Sequence, residues 1–176
     1  MAFKRASLLI PTILVGLAWP VPAYAGHGGN GVDPDNQNQY IEAPDSLTTY
    51  GSDAMNHGKA QLERSDITTH WGTNDIRVYD YNYGDTAWAG KADCLDLNWL
   101  GQSCDVIRIR FNEHSMAGHG QGSWKSLGCH EFGHTGDIGH RPASGDTDKN
   151  SCMRDDDIWP QNFDSHDLVA INSSTN

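Results

Sequence analysis

The 176-residue chain contains no run of about 20 apolar residues, so no segment of it is long enough to cross a bilayer as a helix. Positive charge is scarce. Twelve Lys and Arg stand against 23 Asp and Glu, a formal charge of −11; a surface of that sign repels nucleic acid and anionic membrane, and neither is expected as a partner. None of the four cysteines is spaced Cys-x-x-Cys, which argues against a four-cysteine structural zinc site. There is no EF-hand pattern and no internal repeat.

At the amino terminus, MAFKRASLLIPTILVGLAWPVPAYA has the layout of a secretory signal peptide. Lys4 and Arg5 give a short positive start, Ala6 to Trp19 is largely apolar, and Ala23-Tyr24-Ala25 is a small-x-small cleavage site. Residues 1–25 are therefore expected to be removed and the protein to be secreted. The remaining chain of about 151 residues suits one domain with a modest core and is expected to act as a monomer. Without Lys4 and Arg5, ten basic residues face 23 acidic ones, so the charge moves to −13.

All four cysteines, Cys94, Cys104, Cys129 and Cys152, lie beyond the leader. An even count in an exported chain reads as two disulfides, and three pairings are possible. Cys94 with Cys104 and Cys129 with Cys152 is the favoured set, because each bond then closes a short local loop.

Residues 26–50 are rich in Gly, Asn, Asp and Pro without apolar period, and read as an extended or disordered lead-in to a domain over 51–176. They hold no cysteine, so they cannot place a thiolate on a metal; Asp33 or Asp35 is the alternative if they inhibit, and a plain linker is preferred. Ser52 to about Asp66 fits a short helix, weakened by Gly58. DIRVYDYNYG reads as a strand, TAWAGKADCL as a second, and DVIRIRFNE is the clearest, with Ile107, Ile109 and Phe111 on one face and Arg108 and Arg110 on the other. Ser123 is placed to cap a helix through His134 that stops near Gly136. FDSHDLVAIN resembles a helix start, with Asp164 as cap, Asp167 three residues on, and Phe163 placed to pack on Leu168.

The chemistry concentrates in HEFGHTGDIGH, from His130 to His140. Residues four apart share a helix face, so His130 and His134 can present two imidazoles to one ion. Glu131 is rotated about 100° from His130, beside the ion without ligating it, where a general base belongs. Gly136 and Gly139 let the chain bend so that His140 supplies a third nitrogen. Three ligands leave the fourth position of a tetrahedral zinc for water, as catalytic sites do.

HExxH followed by His140 and then by SCMRD, with Met153 in a turn, resembles the metzincin clan of zinc endopeptidases, and within it the small secreted matrixin-like bacterial members. The diagnostic stretch covers about 25 residues, His130 to Met153. Carried over residue by residue, the resemblance makes His130, His134 and His140 the ligands of one Zn2+, Glu131 the general base and Met153 the methionine of the Met-turn. It implies an α+β fold tending to three layers, with a small, twisted, mostly parallel sheet, an antiparallel edge strand, an active-site helix and a C-terminal helix. It also implies peptide-bond hydrolysis in a polypeptide substrate that pairs with an edge strand; DVIRIRF is the strand assigned that role.

Two positions depart from the clan. Where it has glycine three residues after the second histidine, this chain has Asp137, and the backbone there is expected to need a positive φ, which Asp tolerates better than most residues. Where some members place a tyrosine two residues after the Met, this chain has Asp155, so no tyrosine ligand is expected. Asp137 motivates the alternative function, a secreted binding protein that keeps zinc as a structural element. His114 and His119 are expected to be exposed loop residues. Asp146, Asp148, Asp155, Asp156 and Asp157 have the oxygen chemistry of Ca2+ ligands, yet a solvated acidic loop is the preferred reading.

Overall fold

The computed structural model describes residues 31–44, 46–141, 150–154 and 159–174. The leader and the acidic positions Asp146, Asp148 and Asp155 to Asp157 lie outside them. In chain order the elements are β1 (Asn38–Glu42), α1 (Thr49–Leu62), β2 (Thr68–Trp71), β3 (Ile76–Tyr81), β4 (Gly90–Leu97), β5 (Cys104–Asn112), α2 (Gln121–His134) and α3 (Ser165–Ser174). The strands form one sheet in the order β2-β1-β3-β5-β4. Every pairing is parallel except that of edge strand β4 with β5. The fold is thus α+β, with a mostly parallel sheet and an antiparallel edge, as expected.

Strand β5 shows the alternation read from its sequence. Ile107, Ile109 and Phe111 are buried and join Ile41, Ile76 and Val78 in one core with Ala54, Met55, Leu62, Trp124, Leu127 and Phe132 of the helices. On the opposite face, Arg108 and Arg110 both pair with Asp93 of β4, at 2.5 and 2.8 Å. β5 is not the edge, however. It lies between β3 and β4, and the edge strands are β2 and, on the side of β5, β4. One wet face and one dry face report that helices cover one side of the sheet, a pattern that internal as well as edge strands can show.

Three further expectations shift. Residues 38–42, inside the stretch read as a lead-in, form β1, which sits between β2 and β3 with Gln39 and Ile41 buried. The helix carrying the histidines begins at Gln121 with Gly120 as its cap residue; Ser123 lies inside the first turn, buried, and makes no cap hydrogen bond through its side chain. Helix α1 begins three residues earlier than expected, at Thr49, because Thr48 accepts the Gly51 N–H through its hydroxyl at 3.0 Å. The start of α3 is as read: Asp164 Oδ1 accepts the N–H groups of His166 and Asp167, and Asp167 Oδ2 accepts the Asp164 N–H at 2.9 Å, a reciprocal box.

Gly58 does not weaken α1 so much as permit its packing. A Cβ there would meet Phe132 at 2.3 Å and the Gly128 carbonyl at 2.5 Å, and a Cβ at Gly128 would meet the Ala54 carbonyl oxygen at 2.0 Å. The helices therefore touch backbone to backbone where these glycines lie, and α2 is held deep against the sheet.

Both disulfides have the favoured pairing, Cys94–Cys104 and Cys129–Cys152, and the chain has no free cysteine. Disulfides of this kind fit an oxidising compartment. No helix among the described residues is long and apolar enough to cross a membrane.

Candidate metal centre

Helix α2 delivers His130 and His134 one turn apart, and the chain beyond it returns His140 to the same point. The three ring centroids lie 4.8, 4.9 and 4.9 Å from one another, and one nitrogen of each ring falls within 4.8 Å of the other two. The three histidines predicted as ligands are thus gathered, and among the described residues they form the one such group. His114 and His119, set aside as ligands, are exposed.

Two of the rings are oriented by backbone carbonyls. His130 Nδ1 lies 2.7 Å from the Cys152 oxygen and His134 Nδ1 lies 2.8 Å from the Ile138 oxygen. A carbonyl only accepts, so each Nδ1 carries the hydrogen and each Nε2 is left with a free lone pair, the tautomer a metal requires. Burial, reinforced by neighbouring His134, pushes the His130 imidazole down to about 3, which keeps it neutral. Three imidazole nitrogens with no carboxylate among them fit zinc and other borderline transition metals better than calcium or magnesium, which take oxygen.

Glu131 is only 3 % exposed. Burial raises its carboxyl to about 8, against the opposing effect of the Ala92 N–H, which donates to it from β4. Oε2 has no hydrogen-bond partner among the protein's own atoms. A buried carboxyl with one oxygen held and one unpartnered, one residue from a ligand, is placed to exchange a proton with a molecule beside the ion. Gly90 is what admits it: a Cβ at that position would meet Glu131 Oε1 at 2.3 Å.

No family model and no curated protein matches this chain. The assignment of roles therefore rests on geometry. Asp137 has φ 60°, the left-handed conformation expected of it. Its turn is tight, with the N–H groups of Gly136 and Asp137 donating to Gly133 and His134, and it brings the Ile138 carbonyl onto His134. The aspartate thus does the conformational work of a glycine, and its own carboxyl is raised by burial and by the nearby charge of Asp33. Asp137→Gly is expected to change zinc affinity by less than about threefold, since relief of the strained φ offsets the greater freedom of the unfolded chain. Asp137→Val, which puts a β-branched residue at positive φ, should cost about 1–2 kcal/mol of stability by chemical denaturation.

Met153 is fully buried, and its sulfur packs against Gly133 of α2, where an added Cβ would stand 2.2 Å from it. The Met153 carbonyl accepts the Arg141 N–H at 2.9 Å, fastening the residue after His140 to the same turn. Arg141 is buried in turn by pairing with Asp164 and, at 3.5 Å, with Asp167 of α3. The Cys129–Cys152 bond ties α2 to that turn, so Cys152 both bonds α2 covalently and orients His130 through its carbonyl. A Cys129→Ser, Cys152→Ser variant is expected to lose about tenfold in zinc affinity, read by chelator competition, at temperatures where its far-UV spectrum is unchanged.

Sequence reasoning missed Gly90, Ala92 and the two orienting carbonyls. Gly90 in WAGKA carries a faint signal, a glycine at the start of a strand. Backbone donors and acceptors carry none.

Proposed function

We propose that this protein is a secreted zinc-dependent endopeptidase of the metzincin kind. The observation that carries the reading is a buried Glu131 with an unpartnered oxygen, next in sequence to the first of three gathered imidazoles, two of which are oriented by backbone carbonyls. Zinc held by His130, His134 and His140 would supply a water of pKa about 7 and polarise a carbonyl. Glu131 takes the proton of the attacking water on Oε2 and delivers it to the departing amine nitrogen, while the Ala92 N–H holds its other oxygen. Edge strand β4, rather than the internal β5, offers the free backbone groups along which an extended polypeptide lies.

Secretion is supported by the leader-like start, the two disulfides and the absence of free thiols. Chelation is expected to abolish hydrolysis of casein, and stoichiometric zinc to restore it. Wild-type protein loaded with one zinc and inert toward casein and a mixed peptide library would favour the binding-protein reading instead.

A further inference from the structure

Beside the histidine cluster, a shallow, open cleft of about 340 Å³ lies between residues 31–33 and β4, with the Cys94–Cys104 disulfide in its lining. Its walls are fixed by backbone. The Val32 N–H donates to the His134 carbonyl at 2.7 Å, Cys104 donates to Asp33 at 2.8 Å, and Asp35 donates to Cys104 at 3.2 Å. Ala92 lines the cleft and also donates its N–H to Glu131, so the cleft adjoins the reacting centre. Strands rise about 3.3 Å per residue, which puts it within two or three residues of the bond under attack for a peptide extended along β4.

The lining has a definite chemical bias. Val32, Ala92 and Leu97 give apolar sides, Gln102 and Ser103 are uncharged, and Asp33 is the single charged group. No lysine or arginine lines it, and Asp137 lies near enough for the two carboxylates to act on each other. Apolar sides with an anionic rim suit a side chain with an aliphatic stem and a cationic head.

We propose that this cleft is a specificity pocket for a lysine or arginine side chain of the polypeptide substrate, with Asp33 as its ionic partner. The proposal rests on the peptidase reading for its substrate, and binding tests it without catalysis. Labelled Glu131→Gln protein would be titrated with acetyl-Ala-Lys-Ala-amide and with the norleucine and glutamate versions of the same peptide. The lysine peptide is expected to shift the amide signals of Val32, Ala92 and Ser103 and to bind about fivefold tighter than the norleucine peptide, the upper range for an exposed ion pair. In Asp33→Asn, which leaves the backbone bonds of residue 33 intact, that advantage should vanish. Equal binding of the three peptides, shifts confined to other residues, or an advantage that survives Asp33→Asn would overturn the pocket. A cleavage library on wild-type protein separates the two readings. Cleavage without enrichment of Lys or Arg within three positions of the cut also overturns the pocket, whereas lysine-dependent binding without any cleavage supports the pocket and overturns the peptidase.

Discussion

Glu131→Gln is expected to reduce peptide hydrolysis by on the order of 10³-fold while the protein still binds one zinc ion per chain. The two parts of that result have separate causes. Glutamine keeps the volume of the side chain and its Oε1, so the Ala92 N–H retains an acceptor and the packing against Gly90 is preserved. What is lost is the atom that takes a proton: the amide nitrogen is no base near neutral pH. The histidines are untouched, and the carbonyls that orient His130 and His134 belong to Cys152 and Ile138, not to Glu131. Burial without a neighbouring cation lifts the carboxyl to about 8, and a divalent ion beside it would favour the charged form, so on the proposed reading zinc-loaded protein would have a base ready at neutral pH. Wild-type rates in zinc-loaded Glu131→Gln would sink the mechanism.

Gly128→Ala is expected to destabilise the protein by about 3 kcal/mol or more, the largest loss from any single added methyl in α2. The added carbon would stand 2.0 Å from the Ala54 carbonyl oxygen and 2.6 Å from its carbon, which are backbone atoms inside α1 and cannot rotate away. The helices must separate, and that opens the contact of Gly58 with Phe132, a core side chain with no exposure. Gly133→Ala is the useful comparison. Its methyl would meet the end of the flexible Met153 side chain, so its cost should be smaller and should appear chiefly in zinc affinity. Urea titrations of the three proteins decide the matter; an unchanged midpoint for Gly128→Ala would mean that the helices are not in backbone contact.

The histidine cluster was legible because its information is local. His130, Glu131 and His134 fall within one helical turn and a half, and spacing alone sets their directions. The positive φ at Asp137 was expected from the resemblance, because the clan places a glycine at that position. The sheet was only partly so. β5 has nine residues of clear alternation, whereas β1 has Tyr40 and Ile41 amid polar residues and is a strand because β2 and β3 pair with it on both sides. No periodicity in NQYIE announces partners some 30 residues away. Placing the edge at β5 failed for a related reason: alternation reports which face is covered and is silent about lateral neighbours. Ser123 had the side chain of a cap, yet the N-terminal turn begins before it, at a glycine in extended conformation.

The attachment of residues 31–35 sets a limit on how far the amino terminus can be trimmed. Gly31 lies so close to Asp137 that a Cβ would sit 2.1 Å from its carbonyl carbon, Val32 donates to the His134 carbonyl alongside the Asp137 N–H, and Asp33 to Asp35 are laced to Cys104. A processing cut before Gly31 leaves these bonds alone. One a few residues later removes the strap that holds the turn between the second and third histidines, so the position of a single cut would decide whether that turn keeps its support.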